Sequence, residues 1–443
     1  MISFLTLFLG LLVGPHDVAL AVGPEVAEVR LLLDGRQVAA LESEPWRAKV
    51  NFGDRLRPHE LVAVALDAAG EEIARSRQWI NRPRGRAEST LLLEQDADGR
   101  PKALRLIWEN LVDLHPLDVS VTLNGRRLED SGGGVYPLPS GDDFSELQVA
   151  VAEVEFEEGP TTRAELVFGG PESDHLEVEM TAVPVRHRGA DRELRLDDLR
   201  GRLIRRGGGE LRPLGLERGR ARVVTVVERG AYRMLGAYAQ LLDRGGAFNE
   251  RRLMKMRPGD SFLSQAPVPV RRLDGGTPLD LFTISPAYGP EHGDLPFLIS
   301  HATPGEVPDG VQQLADAVAV AGVEAAAGDR PRAVLLIVGH KWEDKSRFEE
   351  KEVASFLAEL RVPLSIWATG PARTGVIAED RLPLKRKTAW GLARDISTFN
   401  RFQLATGELR RELDEQAIAW IAGAHLPQQI ELAGRDRRLE LAR

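Results

Sequence analysis

The residues best placed to do chemistry form the turn Glu228-Arg229-Gly230-Ala231-Tyr232, which interrupts an apolar stretch running from Ala221 to Leu242. A carboxylate, a guanidinium and a phenol follow directly on Val223, Val224, Val226 and Val227, a β-branched run with only Thr225 inside it. Such a run is what a strand covered on both faces of a parallel sheet looks like. After the turn, Met234, Leu235, Tyr238, Leu241 and Leu242 recur at helical spacing. Strand, turn and helix in that order set the turn at the carboxyl end of a sheet strand, where open α/β sheets bind ligands.

Other chemistry is thinly represented. Gly259-Asp260-Ser261 matches the start of a hydrolase motif, but a serine nucleophile needs a positioned base and no late Asp-x-x-His supplies one. Ser261 therefore reads as a strand residue. No His-Glu-x-x-His, Gly-x-Ser-x-Gly or phosphate-binding glycine loop occurs. The nine histidines lack ligand spacing, and only His340 falls at the carboxyl end of an expected sheet strand. Glu153 to Glu158 alternates carboxylates with Val154 and Phe156, which is the pattern of a solvated strand face rather than a calcium loop. The absence of cysteine excludes disulfides, thiolate metal sites and cysteine nucleophiles.

The elements that hold the turn begin with an α/β region over 221–423. Asp260–Val270, Ala333–Val338, Pro363–Ala368 and Ala417–Ala422 read as strands, and Leu314–Ala327, Phe348–Leu360 and Leu409–Gln416 as helices. This alternation implies a parallel sheet covered on both faces. Upstream the pattern is all strand. Residues 24–83 give short alternating runs with a hairpin signal at Asp34-Gly35, and residues 88–188 repeat the theme with Asn124-Gly125. Both read as β-sandwich modules similar to immunoglobulin-like domains. The glycine- and arginine-rich stretch 189–220 reads as a connector, and 424–443 as a C-terminal tail.

Net charge is −9, so the overall balance favours neither nucleic acid nor an anionic membrane. Phe4 to Val13 is apolar but too short to span a bilayer, and Ala19-Leu20-Ala21 offers an A-x-A cleavage site. Residues 1–21 thus read as a signal peptide, which implies a secreted or periplasmic protein with no integral membrane segment after cleavage.

The stretch from Ala221 to Gly423 resembles the von Willebrand factor A (VWA) domain, in particular the divergent VWA-related domains of bacterial extracytoplasmic proteins. In metal-binding members the turn is Asp-x-Ser-x-Ser, a set of hard oxygen donors for magnesium. The corresponding positions here are Glu228, Gly230 and Tyr232. The loop Gly275-Gly276-Thr277 resembles the one whose threonine is a further ligand, and Leu314 to Val318 resembles the helix after it, with more than thirty residues between. The last ligand, an aspartate after the strand ending at Val338, is replaced by Gly339, with Glu343 and Asp344 several residues late.

The resemblance thus implies a degenerate metal site and no cofactor. The function expected is that of a non-enzymatic exported interaction or adhesion-type protein. Its unidentified protein partner would sit on a face formed by Glu228, Arg229, Tyr232, Thr277, His340, Lys341 and Trp342. The alternatives are a metal-dependent adhesion or carrier protein, with weak magnesium held by Glu228, Thr277 and Asp344, and a hydrolase using Ser261.

Overall fold

The computed structural model describes residues 2–442 except 7, 9, 83–86, 97–99, 111–114, 125, 140–143, 145–147, 157–160, 169–179, 190–193, 245–253, 275–276, 303–309, 328–329, 340–342, 370–384 and 435–437. Small antiparallel β-sandwich modules precede a C-terminal, mostly parallel sheet covered by helices.

The first sandwich pairs Ile2–Phe4, Pro15–Val22 and Arg47–Asn51 in one sheet. Its second sheet runs in the order Arg36–Leu41, Glu28–Leu33, His59–Leu66, Glu72–Ile80. Alternation carries Val18 and Leu20 inward against Val29, Leu31, Phe52 and Leu61. The module therefore extends upstream of residue 24 and includes Ile2–Phe4 and Pro15–Val22. Residues 1–21, read as a leader, contribute Ile2–Phe4 and most of Pro15–Val22. The turn at Asp34-Gly35 has φ of 52° and 80°, the left-handed pair that a two-residue hairpin needs and that Asp-Gly tolerates.

The second sandwich uses the same plan. Its first, second and fifth strands, Ala87–Gln95, Pro101–Asn110 and Val135–Pro137, form one sheet. The other runs Arg126–Arg127, Pro116–Leu123, Gln148–Phe156, Thr161–Phe168, the fourth, third, sixth and seventh strands, as in the first module. Val154 and Phe156 are buried while Glu153 and Glu155 point outward, as a solvated strand face requires. Leu176 and Val178, which alternate as strand residues should within the stretch 88–188, lie outside the described residues.

Three expectations about boundaries change. Met180–His187 does not join the second sandwich, and Gln416–Ala422 does not join the parallel sheet. They pair antiparallel with each other, flanked by Pro213–Glu217 and Leu439–Leu441. Leu203–Arg205 pairs with Ile430–Leu432. The stretches read as connector and tail thus build a small β unit around Val183, Val185, Leu199, Leu203, Ile421, Ile430 and Leu441. The Arg361 guanidinium, buried, donates to the carbonyls of Pro427 and Ile430 and ties this unit to the α/β domain.

The seven-stranded sheet runs Thr277–Ile284, Ser261–Asp274, Arg222–Val227, Arg332–Val338, Leu364–Ala368, Gly391–Asp395, Lys385–Thr388. The five inner strands are parallel and the two outer ones antiparallel. Strand side chains alternate between two cores. Val224, Val226, Val334 and Leu336 meet helices α3 (Leu314–Ala326) and α4 (Glu350–Glu359). Val223, Val227, Leu335 and Ile337 meet α1 (Tyr232–Asp243), α2 (Leu295–Ser300) and α5 (Phe399–Asp414). The expected helix over 409–416 starts ten residues earlier because Thr398 caps it, accepting from the Arg401 amide. The first sandwich docks on the α4 face, where Leu11, Val13 and Leu56 join the α/β core and Glu352 accepts from the Leu56 amide.

Candidate functional site: a closed crevice at the switch point

From Arg222–Val227 the chain builds the sheet outward on one side, and from Arg332–Val338 outward on the other. The order reverses between these two adjacent parallel strands, so the crevice beyond their carboxyl ends is where an open α/β sheet offers a ligand site. Glu228 and Gly339 are the residues that follow the two strands.

That crevice is filled from within. The Glu228 amide continues the ladder to the Ile337 carbonyl at 2.9 Å, and its side chain turns back so that the carboxylate accepts from the Gly339 amide at 2.6 Å. Glu228 is 7% exposed. A charge-assisted bond of this kind is stronger than a neutral one, and it satisfies a carboxylate held out of water. The loops meet so closely that a Cβ at Gly339 would lie 2.1 Å from the Gly230 carbonyl carbon and 2.3 Å from the Ala231 nitrogen. Glycine is required at 339 by close approach of backbone.

The residues around the clamp are likewise engaged. Arg229 donates from its guanidinium to the Gly310 carbonyl at 2.8 Å, and its amide reaches the Gln312 side-chain oxygen at 3.4 Å. Gln312, a loop glutamine with no pattern to mark it in the sequence, is fully buried beside the turn. Tyr232 lies in α1 with its hydroxyl buried and unpartnered among the described residues. Burial pushes the phenol up to about 12, the Arg229 charge opposing more weakly. The folded state thus favours neutral Tyr232, a contribution fully present below the free phenol value near 10 and lost as pH rises through about 12. Tyr232→Phe should leave stability at pH 7 unchanged or higher and flatten its decline over that alkaline window, measured by denaturant unfolding across pH.

The remaining expected donors are elsewhere. Asp344 accepts from the Leu314 amide at 2.9 Å and from Ser346, which fixes the start of α3. Thr277 pairs with Asp274 at a hairpin tip. Only Ser261 to Gln265 run beside Arg222–Val226, so at roughly 3.3 Å per residue the tip lies up to about 30 Å along the strand from Gln265. The glycine loop before it, Gly275-Gly276, and the expected partner-face residues His340, Lys341 and Trp342 lie outside the described residues. The residues implied by the resemblance therefore do not fit a magnesium ion: one carboxylate is spent on an amide, another caps a helix, and Thr277 belongs to a remote hairpin. Among the described residues no three metal-ligating acidic or histidine side chains converge.

Ser261 sits at the amino end of its strand, away from the crevice, and its hydroxyl has no hydrogen-bond partner among the described residues. Asp260 beside it accepts from the Ala221 and Arg257 amides at 2.7 and 2.8 Å and from the Arg410 guanidinium. The Gly-Asp-Ser sequence thus anchors the entry of two strands.

No protein-family model matches the chain, and no curated protein does. Among solved structures it is similar to fibronectin(III)-like modules of Clostridium thermocellum CbhA, at 13% identity and TM-score 0.17 over 18% of this chain and 93% of that one. A central fibronectin-III array of RIM-binding protein matches at 13% identity and TM-score 0.23, over 41% of this chain and 65% of that one. A 1.5-MDa bacterial ice-binding adhesin matches at 13% identity and TM-score 0.15, over 39% and 62%. The chain spans less than two thirds of the last two.

Proposed function

We propose that this chain is a non-enzymatic interaction protein whose C-terminal domain is a VWA-like α/β domain with its metal crevice converted into a structural joint. The observation that carries the reading is the Glu228 carboxylate accepting from the Gly339 amide where the sheet order reverses. The sheet order, with an antiparallel strand beyond the second one, supports the doubly wound part of it. Recognition of a protein partner then relies on ordinary polar and apolar contacts around Arg229, Tyr232 and the neighbouring loops. An extracytoplasmic location belongs to the same proposal, and it has to be reached with Ile2–Val22 retained, because those residues are strands. Thermal unfolding with excess chelator and with millimolar magnesium tests the metal independence. The two curves should coincide, whereas binding to the folded state alone would raise Tm as magnesium saturates the site.

A further inference from the structure

Charge is segregated by unit. The second sandwich, residues 87–168, holds seventeen Asp and Glu against six Lys and Arg, a balance of −11 in a chain whose total is −9. Residues 180–220, which supply the first half of the small β unit, hold eleven Arg against six Asp and Glu, a balance of +5. Residues 1–86, which contain the first sandwich, are balanced at eleven against eleven. Opposite net charges on neighbouring units attract over a range longer than a contact, and salt screens that attraction.

The two charged units meet. At the exit of the small β unit, Arg220 reaches Glu153 on the outer face of the second sandwich at 3.4 Å, with 56% and 38% of the two side chains exposed. Arg220 is fixed in place. Its φ is 52°, in the left-handed region that a non-glycine residue enters at a cost, and its stem lies over Gly259, where an added Cβ would come within 2.8 Å of the Arg220 Cγ. On the sandwich side, Glu155 shares the face of Glu153 and stands directly opposite Asp118 across the ladder, a like-charge pair that costs stability and that a nearby cation relieves. Apolar packing does not join the units: among the described residues, the core from Leu91 to Phe168 draws no side chain from outside the second sandwich. The first sandwich differs, since Leu11, Val13 and Leu56 enter the α/β core.

We propose that the second sandwich is an electrostatically docked arm, seated through its acidic face on the chain's own basic β unit at low ionic strength and released as ionic strength rises. An exposed ion pair contributes little by itself, so the seat depends on the summed charge of the two units and opens when that charge is screened. Release uncovers the strand face bearing Asp118, Glu153 and Glu155. The first sandwich stays in place, because apolar burial rather than charge holds it.

The chain has no cysteine, so Leu117→Cys and Leu214→Cys, at exposed positions of the two units, take a donor and an acceptor dye at defined places. Energy transfer in this labelled full chain should fall as sodium chloride rises from about 0.01 to about 1 M, over which the screening length shrinks from roughly 30 to 3 Å. Circular dichroism should stay constant over the same range, which separates release from unfolding. Glu153→Arg, on an exposed strand face, should lower the docked-to-open ratio at the low-salt end by about two- to fivefold, the worth of an exposed ion pair. Adding Arg220→Glu to it should restore the ratio. Transfer that is constant across the salt range, or a charge swap no better docked than the single reversal, would overturn the proposal. Transfer between singly labelled copies would place the contact between two molecules and overturn it as well.

Discussion

A chain lacking residues 1–21 should lose the first sandwich altogether. Cleavage after Ala21 removes Ile2–Phe4 and most of Pro15–Val22, and with them Ile2, Leu12, Val18 and Leu20, all buried. At about 1.5–3 kcal/mol for each fully buried aliphatic side chain, the loss is roughly 6–12 kcal/mol. That equals the whole stability of an ordinary domain, about 5–15 kcal/mol. Arg47–Asn51 would also lose its ladder partner. The truncated protein should therefore show an unfolded first module by proton–deuterium exchange, with rapid exchange across His59–Leu66. Protein recovered from its native host should retain Ile2–Val22 by intact mass. Slow exchange in the truncated chain would contradict the strand assignment.

Gly339→Ala should destabilise the α/β domain by about 1–3 kcal/mol or more, the cost of overpacking a closed interior. The added carbon would stand 2.1 Å from a backbone atom of Gly230, well inside the roughly 3.5 Å at which carbon atoms rest, and backbone cannot rotate aside as a side chain does. The Glu228 bond to the 339 amide would open with the displacement. Gly236→Ala gives the opposite sign, since nothing lies within 4 Å of its Cβ direction and it sits inside α1. That change should stabilise by roughly 0.5–1 kcal/mol. Denaturant unfolding of the two variants side by side measures both.

The α/β core was legible because its strands are buried on both faces. The run from Arg222 to Val227 has no exposed position, and continuous β-branched sequence is the direct imprint of that environment. The same imprint misled at Gln416–Ala422, which is equally apolar yet pairs antiparallel in a different sheet. Composition records burial, not the neighbour. At the N-terminus a short apolar run and small residues at Ala19 and Ala21 satisfied a leader pattern, while the inward alternation of Val18 and Leu20 carried the strand signal over too few residues to decide. The connector and tail escaped for a related reason: Leu203–Arg205 and Ile430–Leu432 are three residues each and find their partners more than two hundred positions apart.

The site was legible in place but not in state. Glu228 follows the central strand Arg222–Val227, where the apolar run ends, and Gly339 carries no side-chain donor. The Gly339 amide, which gives the Glu228 carboxylate a partner inside the protein where a cation would otherwise stand, has no signature in sequence because every residue but proline carries one. A Gly-Gly-Thr tripeptide carries no distance information, and the length of Ser261–Asp274 takes Thr277 past the ends of the central strands.

Calorimetric titration of the full chain with magnesium, manganese and calcium is the most direct test of the closed crevice. With the Glu228 carboxylate committed to the Gly339 amide, no saturable heat that depends on Glu228 should appear. A cation bound with micromolar affinity in the unmodified chain and lost in Glu228→Ala would contradict it.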